Sequence, residues 1–496
     1  MKMFRAKAAI GCGLLLLAGC TSLPIMVPDL ARREASAVQL AGARGPLSAA
    51  QSKAVIDRLR GGGKDTDIFD RHLAVEESIV GSPLTVGNEV LLLQDGPASY
   101  RAMFAAIAAA KDHINMETYI LDDDEVGQRF AQALIDRQRA GVQVNLIRDG
   151  AGTFGTPAAI FKRLSDSGIT VLEFNPLNPL AARKQWALNQ RDHRKLLIVD
   201  GKTAFLGGIN ISSVYSGGSF GQGSSSERSE ERRAAAPAKP AAAPAATPGA
   251  MPGLKPDDAG EPVIPATLAW RDTDLRLRGP VVAELQKLFI DTWEKQQGEP
   301  LAAKNYFPKP EVAGRQVVRA IGSTPDEPFS QIYATLLSAI GSAETSVHLT
   351  NAYFAPDPQM LVALETAAAR GVDVTLILPS QTDSWLIFHA GRGYYDRLLR
   401  AGVKIHQRRG VILHSKTVLI DGVWATVGST NMDWRSFLHN QELNAVVLGA
   451  EFGAQLQAMF DRDLAQSDAI TIDQWERRSL EYRLQEWFAR LWEYWL

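Results

Sequence analysis

An imidazole two residues ahead of an ammonium occurs twice in a matched setting in this chain, at His193/Lys195 and at His414/Lys416. In both copies an aspartate stands seven residues after the histidine (Asp200, Asp421) and an asparagine seventeen after it (Asn210, Asn431). Side chains alternate along a strand, so a His-x-Lys strand shows both groups on one face. Imidazole beside ammonium suits an anion, and a phosphate fits. The lysine supplies charge, the asparagine a donor, and the imidazole can attack phosphorus. Two imidazoles allow one to be nucleophile while the other serves as acid and then base. A single copy would read as a surface strand with solvated side chains; matched spacings in two copies argue against that.

The elements that must position these groups repeat as well. In the first copy, strands over 90–93, 114–121, 142–147 and 169–171 alternate with helices over 99–112, 126–139 and 157–167, and the His193 segment follows as strand, turn and strand. In the second, 331–340 matches the first Ala-rich helix, and 346–354, 370–377 and 401–405 match later pieces, at offsets of 221 to 234 residues. Helices that stop at glycine and hand over to β-branched runs imply an α/β fold with a largely parallel central sheet. The expected architecture is two pseudo-symmetric α/β/α sandwich halves, 86–313 and 314–496, with the active site at their interface. Residues 216–265 are rich in Gly, Ser, Ala and Pro and read as a disordered insertion within the first half. Residues 20–85 read as a tether with short surface helices. In the tail, Trp487, Leu491 and Trp495 share one helical face among arginines, which suits a membrane interface and packing against the domain equally well.

The net charge of −2 argues against a generally basic nucleic-acid binder, and the eight histidines show no metal-ligand spacing, so neither nucleic acid nor metal is expected. At the N-terminus, Lys2, Arg5 and Lys7 precede an apolar stretch over 8–18 that ends Leu17-Ala18-Gly19-Cys20. This resembles the lipobox of bacterial lipoproteins, in which residues 1–19 would be removed and Cys20 lipidated. The resemblance implies a lipid-anchored protein of the bacterial cell envelope, facing the periplasm, with the choice of membrane open. A plain secretory signal or short membrane anchor is the alternative.

His193-Lys195-Asp200 and His414-Lys416-Asp421 resemble the paired HxKxxxxD motifs of the phospholipase D superfamily. The stretches around Asn189–Lys195, Gly207–Asn210, Trp270–Thr273, Gly279-Pro280 and Gly393–Leu399 resemble its cardiolipin synthase branch. The resemblance implies ping-pong phosphatidyl transfer without a cofactor. In it His193 is the nucleophile, His414 the acid and base, and Lys195, Lys416, Asn210 and Asn431 hold the phosphate oxygens. Each imidazole needs a carboxylate to fix its tautomer, and the candidates are Asp272 in the first half and Glu442 in the second. Asp200 and Asp421, each before a glycine, read as turn formers. Glu117 and Asn351 align between the copies and are candidates to line the cleft; a core or surface role is the alternative. Gly208 stands where the second copy has Ser429, so a hydroxyl donor to phosphate is expected on one side only. The implied substrates are phospholipids at a membrane, phosphatidylglycerol or similar, with cardiolipin as product. A superfamily hydrolase, phospholipase or nuclease, is the competing reading, and an inactive binding protein is disfavoured by two intact motifs. One chain carries both motifs, so no oligomer is required.

Overall fold

The computed structural model describes residues 25–28, 30, 36–61, 66–181, 186–217 and 268–496. Cys20, the apolar stretch before it and nearly all of the 216–265 insertion lie outside the described residues. Side-chain caps begin the helices that the repeat predicts. Asp95 accepts from Ala98 N–H at 2.8 Å to start α1 (Gly96–Ala109), and Asp124 accepts from Gly127 N–H at 2.9 Å to start α2 (Glu125–Arg139). In the second half Ser330 caps α5 (Gln331–Gly341) and Asp357, followed by Pro358, caps α6 (Pro358–Ala369). Gly141 and its counterpart Gly371 end α2 and α6 at φ of 90° and 88°, the left-handed backbone that lets the chain turn into the next strand.

The first half contributes β1 (Leu84–Leu93), β2 (His113–Thr118), β3 (Gln143–Asp149), β4 (Thr170–Phe174), β5 (Arg191–Asp192), β6 (Leu196–Val199), β7 (Thr203–Gly207), β8 (Trp270–Arg271) and β9 (Asp274–Arg278). The second contributes β10 (Gln316–Ser323), β11 (Ser346–Asn351), β12 (Asp373–Pro379), β13 (Lys404–Arg408), β14 (Ile412–Leu413), β15 (Lys416–Ile420), β16 (Trp424–Gly428) and β17 (Asn440–Leu448). Spatial order is β4-β3-β2-β6-β7-β9-β1 in one half and β13-β12-β11-β15-β16-β17-β10 in the other. An antiparallel β1–β10 ladder joins them into one continuous sheet. Within these two strand orders the β2–β3–β4 and β11–β12–β13 ladders are parallel and the others antiparallel, so the sheet is mixed and not largely parallel as expected. The tight turns at Asp200-Gly201 and Asp421-Gly422 can join only antiparallel neighbours, and that reverses the sense of the sheet beside each motif.

The two faces of the sheet are covered by helices. α1, α2 and α3 (Ala158–Asp166) close one apolar cluster, α5 and α6 another, and α4 (Val281–Lys295) with α7 (Ala450–Ala465) a third that spans both halves. The expected N-terminal tether is a structural part instead. Ile68, Phe69, Leu73 and Ile79 are buried in the second half's core, and Glu76 forms a fully buried ion pair with Arg319 at 3.1 Å. These apolar residues sit too close to charged neighbours to announce a core segment by composition. No helix among the described residues is long and apolar enough to cross a membrane.

Candidate active site

Two very short parallel ladders cross between the halves and build the site. β5 pairs with the start of β17 (Arg191 opposite Asn440, Asp192 opposite Gln441), and β8 pairs with β14 (Trp270 opposite Ile412, Arg271 opposite Leu413). His193 then donates its backbone N–H to Gln441 O at 3.0 Å, and His414 donates to Arg271 O at 2.7 Å. Each histidine therefore leaves its own half's sheet order just where it meets the strand carrying the other half's acid. His193 Nδ1 lies 3.0 Å from Glu442 Oε1, and His414 Nδ1 lies 2.6 Å from Asp272 Oδ2. One acid from each half was expected; their crossing, with each serving the histidine of the opposite half, was not. A carboxylate at Nδ1 fixes a proton there and turns Nε2 to the reaction, as a lone pair on a neutral ring or as an N–H on a protonated one.

Apart from Lys416, which opens β15, the His and Lys residues lie outside the strands in which the spacing put them. His193, Arg194 and Lys195 lie between β5 and β6, and His414 and Ser415 between β14 and β15. The segment is still extended, so His and Lys share a side. Lys195 Nζ donates to the His193 carbonyl, while Lys416 Nζ donates to the His414 carbonyl and lies 2.9 Å from His414 Nδ1. The intervening residues face away and lock the halves together. Arg194 Nε donates to Glu442 O at 3.2 Å, and Ser415 Oγ meets Thr273 Oγ1 at 2.9 Å. Arg271, whose guanidinium pairs with Asp463 at 2.8 Å, also reaches Ser415.

Burial dominates the electrostatics. It pushes His193 down to about 4, with Lys195 adding to the effect and Glu442 opposing it. It brings Lys195 down to about 7 and Lys416 to about 8, although Glu442 raises the first and Asp272 the second. His414 is also lowered, by burial and then by Lys416. Burial acts to raise Glu442, but His193 and Lys195 outweigh it and hold the carboxyl below its usual range. Burial thus favours a neutral His193, ready to attack, beside lysines whose charge is lost at and just above neutrality. Activity limited by kcat/KM should rise as His193 loses its proton near pH 4 and fall as His414, which burial lowers, and then Lys195 and Lys416 lose theirs, the two lysines near pH 7 and 8. Initial rates at subsaturating lipid across pH 4–10 check this; a rate still climbing above pH 9 would contradict it.

The other expected site residues divide. Asn431 keeps Oδ1 without a protein partner, and Asn351 keeps Nδ2 so, both being buried. Asn210 is occupied: its Nδ2 donates to Tyr215 Oη at 3.1 Å and its Oδ1 accepts from Ile120 N–H at 3.2 Å. The Ser429 hydroxyl, expected to face phosphate, donates to Glu442 and accepts from Leu443 N–H at 3.0 Å. Gly208 is bare for a related reason, because a Cβ there would stand 2.7 Å from Asp272 Cγ. Gly208→Ala should displace that carboxylate from His414 and lower turnover by about 10²-fold with little loss of thermal stability, checked by assay and a melting curve.

Glu117 and Asn351 are not equivalent. Glu117 lies opposite Leu196, one residue past Lys195, whereas Asn351 lies opposite Lys416 itself. A one-residue difference in register sends the side chains to opposite faces. Glu117 is accordingly buried beneath the site, 3.7 Å from Arg194 Nη1 and against Asp192, and burial raises both carboxyls. Asp200 and Asp421 sit at φ of 55° and 53° in their turns. Asp200 accepts from the N–H groups of Lys111, Asp112 and His113, and Asp421 from those of Glu344, Thr345 and Ser346. Each ties its hairpin to the start of the neighbouring strand.

Four aromatic residues around the histidines were not singled out from sequence. The Tyr119 ring is 5.0 Å from His193, while Trp270, Tyr215 and Tyr353 lie 5.1, 5.9 and 5.9 Å from His414. Tyr119 and Tyr353 end matched segments of the repeat, and that repetition was a usable signal.

Residues 103–215 and 336–464 match a family model described as cardiolipin synthase, PLD-like domain. The chain is 30% identical over 413 residues to a cardiolipin synthase of Geobacillus kaustophilus, an alignment covering 82% of this chain and 72% of that one. It is 32% identical over 408 residues to cardiolipin synthase 2 of Bacillus anthracis, covering 81% and 70%. Among solved structures it resembles in fold a phosphatidylserine synthase of Haemophilus influenzae, with a TM-score of 0.55 and 12% identity over 85% of this chain and 99% of that one.

Proposed function

The chain belongs to the cardiolipin synthase-like family of the phospholipase D superfamily, and from that premise we propose that it is a phosphatidyltransferase joining two phospholipids through a phosphohistidine. The observation that carries this is the crossed pairing of His193 with Glu442 and His414 with Asp272, which presents two oriented imidazoles in one site with two buried lysines. In the first step His193 Nε2 attacks the phosphorus of a donor such as phosphatidylglycerol. The phosphorus–oxygen bond to the headgroup breaks, and His414, which enters the step as the imidazolium stabilised by Asp272, gives its Nε2 proton to the departing glycerol oxygen. In the second step His414 takes the proton of an incoming phosphatidylglycerol hydroxyl, whose oxygen attacks phosphorus and releases His193. The products are cardiolipin and glycerol, and both histidines return to their starting states. Lys195 and Lys416 balance the charge on the phosphoryl oxygens, with the free Asn351 Nδ2, opposite Lys416, available as a further donor. The aromatic rings around His414 favour a lipid hydroxyl over water at the second step. Purified protein incubated with phosphatidylglycerol vesicles and analysed by mass spectrometry should yield cardiolipin; phosphatidic acid alone would establish hydrolysis instead.

The same reading places the enzyme at a membrane of the cell envelope, held by lipid on Cys20. What supports it is the basic, apolar and small-residue order leading to Leu17-Ala18-Gly19-Cys20. Metabolic labelling with an alkyne fatty acid should mark the protein, and Cys20→Ala should remove the label.

A further inference from the structure

The C-terminal helix α8 (Leu480–Arg490) is amphipathic in the inverse sense. Its polar side faces the protein: Glu486 is 3% exposed and pairs with Arg478 at 3.0 Å, beside the fully buried Ala489. Its apolar side faces outward, with Leu480, Leu484 and Trp487 at 76, 65 and 63% exposure, and Phe488 and Leu491 next to them. The positions 480, 484, 487, 488 and 491 fall on one helical stripe. Trp492 and Trp495 prolong the exposed apolar surface beyond the helix. A monomeric soluble surface rarely keeps such a stripe uncovered.

The stripe adjoins the site. Ala489 belongs to a small apolar cluster with Ile387, Ala390 and Ala355, and Tyr353, one of the rings beside His414, packs against that cluster. At the tail's end, Leu496 O accepts from Arg435 N–H, and the Arg435 guanidinium holds Asn189, four residues before His193, at 3.1 Å. Exposed Arg483 and Arg490 flank the stripe on one edge. Tryptophans with flanking arginines on an outward apolar face match the headgroup–acyl boundary, where the rings sit at headgroup level and the guanidinium groups meet phosphate.

We propose that the outward face of α8 with Trp492 and Trp495 is a docking surface for an anionic phospholipid bilayer, seating the mouth of the histidine site at the depth of the lipid phosphates. The inference deepens the proposed function, since it rests on a phospholipid substrate that stays in the bilayer. Its test reads insertion and not catalysis. The full chain bearing C12A, C20A and F488C, labelled with an environment-sensitive NBD fluorophore, is added to phosphatidylglycerol/phosphatidylethanolamine vesicles. A second labelled chain with K162C in place of F488C reports on an exposed helix elsewhere. The probe at position 488 should gain emission severalfold, shift to the blue and be quenched by acyl-chain doxyl lipids, while the probe at 162 stays aqueous. Adding His193→Ala should leave this response unchanged, so an inactive enzyme and an undocked one are told apart. The triple substitution L484E, W487E and L491E should lower turnover on vesicles about tenfold and spare turnover on a soluble short-chain phosphatidylglycerol. An aqueous probe at 488 on vesicle-bound protein would overturn the proposal. So would a shift that grows with protein concentration in the absence of lipid, which would mark a second copy as the occupant.

Discussion

Replacing His193 with alanine is expected to lower cardiolipin formation from phosphatidylglycerol by about 10⁴-fold or more, and His414→Ala by a similar factor. The first change removes the only nitrogen placed for attack in the proposed mechanism. The second leaves an alkoxide-like leaving group without a proton donor. Because the two act on one reaction cycle, the double variant should be little worse than either single one. Both side chains lie in the cleft and not in an apolar cluster, so far-ultraviolet circular dichroism and melting temperature should stay close to those of the parent. Unchanged turnover in both single variants would remove the mechanism.

The carboxylates come next in size of effect. Glu442→Gln and Asp272→Asn keep shape and hydrogen-bonding capacity but permit the wrong imidazole tautomer, a change worth about 10⁴-fold where a carboxylate orients a catalytic histidine. The crossed pairing separates the two in kind. Glu442 lies at His193, so Glu442→Gln should slow attack on the donor even when the headgroup is a good leaving group such as p-nitrophenol. Asp272 lies at His414, so Asp272→Asn should keep a rapid nitrophenol burst and slow the second step. The opposite assignment of burst behaviour would indicate that the roles of the two histidines are exchanged.

How much of this was legible in the sequence follows from the range of each interaction. The repeat, the helix ends at Gly141 and Gly371, and the grouping of His, Lys and Asn are set by neighbours within twenty residues, and they can be read directly. The pairing of acids with histidines is not of that kind. It depends on two ladders of two residue pairs each, between 191–192 and 440–441 and between 270–271 and 412–413, and nothing in either segment names its partner. Glu117 was misplaced because an alignment tolerates a one-residue slip that a strand does not. The largely parallel sheet was expected because the alternation of helix and strand was read throughout, although the motif hairpins themselves impose antiparallel neighbours. The tail divided evenly from sequence between membrane and core. Glu486 decides its orientation, since a buried carboxylate needs Arg478 and turns the apolar side out.

The central claim, a covalent phosphatidyl intermediate on His193 resolved by His414, is most directly tested with His414→Ala and phosphatidyl-p-nitrophenol. Nitrophenolate leaves without a proton, so attack by His193 needs no acid, while release of the intermediate still needs His414 as base. The expected result is a stoichiometric nitrophenol burst without sustained turnover. With it should come a phosphatidyl adduct on the peptide containing His193, detected by mass spectrometry after an alkaline quench that spares the phosphorus–nitrogen bond. Sustained turnover with no adduct, or an adduct carried by any other residue, would contradict the account.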